Sequence, residues 1–391
     1  MKILHVAQSL KGGSATYFNE MLPDHIHAFG GSNVGLVVPA TDAEYLRREI
    51  GQCRQFWFKS RGRSIPLLLN FVMTVASACR RFKPDVLHLH GIYAGTAGRL
   101  VAPILSPKTK IVYCAHGWAL ERETSLLVKK LTLLVEKSLA PITDVIVNIS
   151  HADANCAAAA GIAARENVVV YNGVEDVPPP GEAMRCALAR ERGLSPDKIN
   201  VVFAGRLDHQ KGHEIAEGAF RDLPADKYHL YVLGDSVLSA HAEPQELPVN
   251  VTRLGWQSRA EVCRYMQVAD VLIMPSKWEG FGLTAIEAMR AGTAVLCSKV
   301  GGLPEVVDHD VTGIVVDTNE PGSYRDVLLR MSKDEWHSLG AAGRRRFESL
   351  FTSALFTARL REVYRRFEAT SPRLETGSIS AQRPAAVRSG S

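Results

Sequence analysis

The chain has 391 residues, 46% of them hydrophobic and 22% charged, which is too long for one ordinary core, comfortable for two, and excludes wholesale disorder. The apolar run Ile65 to Cys79 is short of the roughly 20 residues a membrane span needs, the start turns polar too soon for a secretory signal, and seven scattered cysteines with no Cys-x-x-Cys pair argue against a disulfide framework or a zinc site and for a reducing cytoplasm. The net charge of +5 is uneven: residues 47–137 carry 16 basic against 5 acidic side chains, which suits a solvated surface or an anionic partner, but without aromatic interleaving or a known motif it does not suit nucleic acid.

In chain order, short apolar runs at Ile3–Ala7, Val34–Val38, Val86–His90, Ile111–Ala115, Val145–Ile149 and Val168–Tyr171 are continuous rather than alternating. That pattern predicts strands buried on both faces of a parallel sheet. Helices are expected between them, among them Ser14–His27, Ile65–Phe82 and Glu123–Leu139, and Ser150 reads as the N-cap of an Ala-rich helix ending at Gly161. After Val177, Pro178-Pro179-Pro180-Gly181 is a stiff break. The same grammar then restarts, with strands at Val201–Ala204, His229–Leu233, Val251–Leu254, Val271–Met274, Ala294–Ser298 and Gly313–Val316. Helices fit Gly212–Phe220, Ser258–Val268, Leu283–Ala291, Leu303–Val307 and a stretch from Glu335. Strand–helix alternation twice over predicts two doubly wound α/β domains. The expected division is 1–177, a linker at 178–181, a second domain at 182–350, a last amphipathic helix within 351–370, and a disordered tail at 371–391.

The most informative segment runs from Pro275 through Glu279-Gly280-Phe281-Gly282-Leu283-Thr284 to Glu287. A strand ends, a glycine-bearing turn follows and a helix opens, the place where open α/β sheets bind ligands. Amides at Gly282, Leu283 and Thr284 suit a phosphate. Glu287, within the first turns of the helix, can accept hydrogen bonds from vicinal hydroxyls, and Glu279 can reach another part of the same ligand. A second cluster, Gly205-Arg206-Leu207-Asp208-His209-Gln210-Lys211-Gly212, sets a guanidinium and an ammonium beside glycines. It reads either as a basic surface loop or as a diphosphate site. Downstream lies Gly301-Gly302-Leu303-Pro304-Glu305.

In this order, from Asn200 to Asp317, these segments resemble the family-4 glycosyltransferases of the GT-B fold. The resemblance implies a nucleoside-diphosphate sugar donor, a hydroxyl acceptor, retention of anomeric configuration, and no metal or other cofactor. It implies Arg206 and Lys211 on the diphosphate, Glu287 on the ribose and Glu279 near the donor sugar. The last helix, with Phe356, Leu360, Val363, Tyr364 and Phe367 at helical spacing, is similar to the family's crossover back onto the first domain. Asp308-His309-Asp310 spells a metal motif of a different fold but sits where a polar turn is expected.

In the first half the resemblance is looser. Lys11-Gly12-Gly13-Ser14 follows the first strand and matches a glycine loop near the donor phosphate, with Gly12 and Gly13 letting backbone approach a ligand. His116, ending the strand Ile111–Ala115, matches a histidine close to the transferred sugar. His88 and His90 are expected on opposite sides of their strand, His90 near its end as an acceptor-side candidate and His88 packed. Leu127, Leu131 and Leu134 with Lys129, Lys130 and Lys137, and Pro66–Val75 between Lys59, Arg61, Arg63 and Arg80, Arg81, Lys83, read as core helices or as shallow contacts with an anionic leaflet. The second reading makes a lipid-linked saccharide the acceptor, as in bacterial surface polysaccharide assembly, a subgroup the Cys-Ala-His-Gly-Trp wording is similar to. The rival functions are a nucleotide-sugar epimerase of the same fold and a non-catalytic nucleotide-sugar-binding partner.

Overall fold

The computed structural model describes residues 1–59, 64–121, 123–235 and 246–369. The tail expected at 371–391 and two cations of the basic segment, Arg61 and Arg63, lie outside them. The first domain contains β1 (Ile3–Ala7), α1 (Gly13–Phe29), β2 (Val34–Pro39), β3 (Arg54–Phe58), α2 (Ile65–Phe82), β4 (Val86–His90), α3 (Ile92–Leu105), β5 (Lys110–Cys114), α4 (Leu126–Leu139), β6 (Val145–Asn148), α5 (His151–Ala159) and β7 (Glu166–Val169). All strand pairs are parallel, in the order β3-β2-β1-β4-β5-β6-β7. The second domain follows with α6 (Glu182–Glu191), β8 (Ile199–Ala204), α7 (His213–Ala219), β9 (Tyr228–Leu233), β10 (Val251–Gly255), α8 (Arg259–Val268), β11 (Val271–Met274), α9 (Leu283–Ala291), β12 (Ala294–Ser298), α10 (Leu303–Val306), β13 (Gly313–Val316), α11 (Pro321–Arg330), α12 (Lys333–Leu350) and α13 (Ser353–Ala369). Its parallel sheet runs β10-β9-β8-β11-β12-β13.

Both sheets reverse strand order beside their first strand, so each opens a crevice at its carboxyl edge, and this is the expected pair of doubly wound α/β domains. The inner strands are the continuous apolar runs, buried on both faces. Helix starts follow the hydroxyl caps: Ser150 accepts from Asp153 N at 3.0 Å, Ser258 from Glu261 N at 3.2 Å, and Ser332 forms a capping box with Glu335. Such caps contribute about 1 kcal/mol each.

Five elements depart from the sequence reading: it places no helix at α6 or α11, and the other three have a local physical reason. β3 carries Arg54 and Gln55 and is partly exposed on the sheet edge, so no apolar run announces it. α3 was hidden by Gly95, Gly98 and Pro103, residues that disfavour a helix locally but are accepted where tertiary packing dominates. The strand expected at Val168–Tyr171 lies two residues earlier, because β7 is an edge strand whose start, Glu166 and Asn167, is exposed.

The chain crosses between domains twice, and the crossings touch. Val174 N donates to Phe351 O at 3.0 Å and Ser353 N donates to Val174 O at 2.8 Å. α13 then packs on α1 of the first domain, with Phe356 against Tyr17 and Tyr364 against His25. Tyr171, Phe281 and Phe351 continue the apolar contact into the second domain. Among the described residues one helix, α2, is long and apolar enough to cross a membrane by length and composition. Its inner face, Phe71, Val75, Ala78, Cys79 and Phe82, is buried in the first domain's core, so it is a layer of that domain.

Candidate active site

The cleft brings two loops into backbone contact. Gly117, after β5, and Gly280, after β11, approach so closely that a Cβ built on Gly280 would lie 3.1 Å from Gly117 Cα. His116 and Glu279 are the residues immediately before them. Gly301 explains how the second loop is held: its φ is +50°, and a Cβ there would lie 1.6 Å from Glu279 O, so only glycine lets the two turns nest. Gly302 N adds a bond to Glu279 O at 3.3 Å.

Around this contact the second domain contributes charge. Lys211 Nζ lies 2.5 Å from Glu279 Oε2, both side chains largely buried. Arg206 is half exposed and pairs with Asp208 at 3.0 Å and Gln210 at 3.1 Å. Gln210 also ties its loop to the next, donating to Trp278 O and accepting Lys277 N at its own carbonyl. Gly282, with φ +105°, starts α9, and Leu283 and Thr284 occupy the first turn, whose amides have no acceptor within the helix. Glu287 sits 3.4 Å from Arg259, which also holds Glu20 of the first domain at 3.2 Å. Burial raises the Glu287 carboxyl against the opposing pull of Arg259 and Arg290. Asp308-His309-Asp310 is a polar turn with Asp310 at positive φ.

The first domain contributes neutral rings. Gly12 caps α1 at φ +62°, and a Cβ on Gly13 would lie 3.2 Å from Leu283 Cδ1, so the glycine loop does cross the cleft to α9. His116 lines a cavity of about 270 Å³ with Gln8, Ser9, Ser14, Tyr93 and Trp118. Tyr17 meets its ring edge-to-face at 4.6 Å. Burial lowers the His116 pKa to about 4, so the ring is neutral near pH 7. His88 and His90 share one face of β4, their centroids 4.1 Å apart, and not the opposite faces expected: residues two apart point the same way on a strand. His88 is packed, bonded through Nδ1 to Tyr364 OH at 2.6 Å. His90 borders the cavity at only 5% exposure and spends both nitrogens, Nδ1 on His116 Nε2 at 3.0 Å and Nε2 on His5 Nδ1 at 3.1 Å. No nitrogen of His90 remains for an acceptor hydroxyl.

Two features escaped the sequence reading. His5 and His25 belong to the same cluster; β1 and β4 are neighbours wherever this strand order occurs, so His5 beside His88 was the available signal. Glu305 bridges the domains, accepting from His151 N at 2.7 Å and Ala152 N at 2.5 Å at the start of α5 and from Tyr171 OH at 3.0 Å. A carboxylate on a helix N-terminus is favoured by charge and by hydrogen bonding.

Two parallel-sheet domains meeting through these loops define a GT-B glycosyltransferase. The chain matches the family Glycosyltransferase Family 4 over residues 12–177 and Glycosyl transferases group 1 over 186–346, and it belongs to this family. It is 30% identical over 331 residues to an uncharacterized 41.2 kDa protein of the cps region of Klebsiella pneumoniae, covering 84% of this chain and 89% of that one. In fold it is similar to sucrose-phosphate synthase from Thermosynechococcus elongatus, at TM-score 0.80 and 20% identity over 95% of this chain and all of that one. It is likewise similar to Anabaena HepE in complex with UDP-glucose, at TM-score 0.79 and 20% identity over 94% of this chain and all of that one.

Proposed function

We propose that this glycosyltransferase moves a sugar from a nucleoside-diphosphate sugar to a saccharide hydroxyl, with retention and without a metal. The observation that carries the reading is the Gly117–Gly280 contact, which brings together the turn that bears His116 and the turn that bears Glu279, the partner of Lys211. Lys211, with Arg206 and the first-turn amides of α9, stabilises the diphosphate as it leaves, so that developing charge meets preorganised donors. Glu287 takes the ribose. The bond from the anomeric carbon to the phosphate oxygen breaks, the acceptor oxygen bonds to that carbon on the same face, and the acceptor proton passes to the leaving phosphate. Glu279 and His116 position the sugar; a trapped glycosyl–Glu279 adduct would overturn this sequence. The test is calorimetry against UDP, GDP, ADP and their sugar conjugates in chelator, followed by transfer assays. Preference for one nucleotide without metal supports the reading, and failure of the folded protein to bind any of them defeats it.

The acceptor in this proposal is lipid-linked, presented at the inner face of a membrane to a cytoplasmic enzyme that docks there. Support comes from the outer helices of the first domain. Ile65 and Met73 of α2, Ile104 of α3 and Leu126, Leu127 and Leu134 of α4 are all more than 60% exposed, and α3 packs against both α2 and α4. Lys130, Lys137, Arg80, Arg81 and Lys83 lie exposed on the same helices or at their ends. An apolar face of this extent with basic flanks suits an anionic leaflet. Sedimentation with phosphatidylglycerol vesicles, but not phosphatidylcholine vesicles, is expected, and Leu127→Glu with Leu134→Glu should abolish it while nucleotide binding is kept. Equal recovery with both lipids, or none, removes the docking. The relative's place in a cps region accords with a role in surface polysaccharide assembly.

A further inference from the structure

Four imidazoles form one hydrogen-bonded chain behind the cleft. His25 Nδ1 meets His5 Nε2 at 3.1 Å, His5 Nδ1 meets His90 Nε2 at 3.1 Å, and His90 Nδ1 meets His116 Nε2 at 3.0 Å. His5 and His25 are fully buried and His90 nearly so. Burial drives the His5 pKa to about 3 and those of His25 and His90 well below the ordinary value, so the rings are neutral. A neutral imidazole has one N–H and one lone pair. Every link needs one of each, so the four tautomers are locked together and the whole chain points one way or the other.

The far end decides which. His25 Nε2 is buried with no hydrogen-bond partner among the described residues. A buried orphan N–H is the rarer of the two alternatives, so Nε2 carries the lone pair. His25 Nδ1–H then donates to His5, His5 to His90, and His90 Nδ1–H to His116 Nε2. We propose that His25, His5 and His90 are positioning residues that fix His116 as the Nδ1–H tautomer, so that the cleft is presented with an N–H donor of set orientation for a sugar oxygen. This rests on the reading above only for what the donor meets; the tautomer itself is a property of the protein alone. His88 stands outside the chain, although its nitrogen and those of His5 and His90 converge within 4.8 Å, the spacing of a potential metal site.

The decisive measurement is long-range proton–nitrogen correlation NMR of the full chain labelled with 15N-histidine, with His116 assigned through His116→Gln. Protonated Nδ1 and bare Nε2 at His116 are expected; protonated Nε2, or a mixture, overturns the proposal. Stoichiometric metal held through purification and lost in His88→Ala also overturns it, because a cation would take the lone pairs the chain requires. Two variants test the consequence. His90→Asn replaces the Nδ1–H with an amide N–H, whereas His90→Leu keeps bulk and removes the donor. With donor affinity unchanged within about threefold, Leu should lower turnover about 10²-fold, the scale of one lost or misdirected donor, and Asn should recover at least tenfold of it. A packing role predicts the reverse order, Leu better tolerated than Asn. If no sugar is transferred by the parent protein, the functional reading fails while the NMR result still judges the chain.

Discussion

The two domains share a strand order yet make opposite electrostatic choices at the cleft. The first lines it with buried, neutral imidazoles that bond to one another; the second lines it with ions paired across short distances, Lys211 to Glu279 and Arg259 to Glu287. A neutral wall can touch a sugar without attracting free anions, and a charged wall can hold a diphosphate. The division also sets how each side responds to perturbation, because a buried neutral histidine is lost to acid whereas a Lys–Glu pair is lost to mutation.

Acid gives the largest contrast. Each buried ring resists protonation when folded but takes a proton near pH 6.5 when unfolded, so below that pH the unfolded chain binds more protons and stability falls. The fall continues toward the folded values, about 3 for His5 and about 4 for the partly exposed His116. The slope is roughly 1.4 kcal/mol per pH unit for each such ring. Urea denaturation at pH 7.5, 6.5 and 5.5 should therefore show a shallow upper step and a steeper lower one in the first domain. Equal stability at all three would mean that the rings are already solvated.

Mutation should separate the sides next. Lys211→Ala is expected to cost donor affinity and to lower turnover by about 10²–10³-fold, since leaving-group stabilisation is lost. His116→Ala should lower turnover with a much smaller loss of nucleotide binding. If His116→Ala loses both equally, it is a structural residue and the neutral wall has no part in the chemistry.

The same contrast explains what could be read in advance. The charged side is local in sequence: Arg206 and Lys211 are five residues apart on one strand-to-helix turn, Glu279 and Glu287 eight apart on another turn and the helix it opens, so the motifs that carry the family resemblance displayed it. The neutral side is assembled from β1, α1, β4 and the turn after β5, and its four histidines span more than a hundred residues. Only the two-residue period of β4 and the adjacency of β1 were available, and misapplying the first put His88 and His90 on opposite faces. The clamp by Glu305 was equally hidden, because two of its three partners are backbone amides of α5, which carry no sequence signature.

Glu287→Ala is the next smaller effect. Loss of a charged hydrogen bond to the ribose costs about 1.5–3 kcal/mol, or one to two decades of donor affinity. Arg259 keeps Glu20 as a partner, so the fold should survive. Calorimetric titration with the preferred nucleotide checks it, and unchanged affinity would remove the ribose assignment.

The smallest effect lies where the two sides join. Ser150 caps α5 and also donates its hydroxyl to Gly280 O at 3.0 Å, so one side chain serves helix and interface together. Ser150→Ala should cost about 1 kcal/mol. If the domains unfold as one unit, a single calorimetric transition shifts down by roughly 2 °C. If they unfold separately, only the first domain's transition moves, because the cap belongs to that domain and the bond to Gly280 is already broken. The first pattern would mean that the loop contact couples the two walls even without donor. The second would mean that the walls are independent folding units whose chemistry is joined only when the cleft is closed.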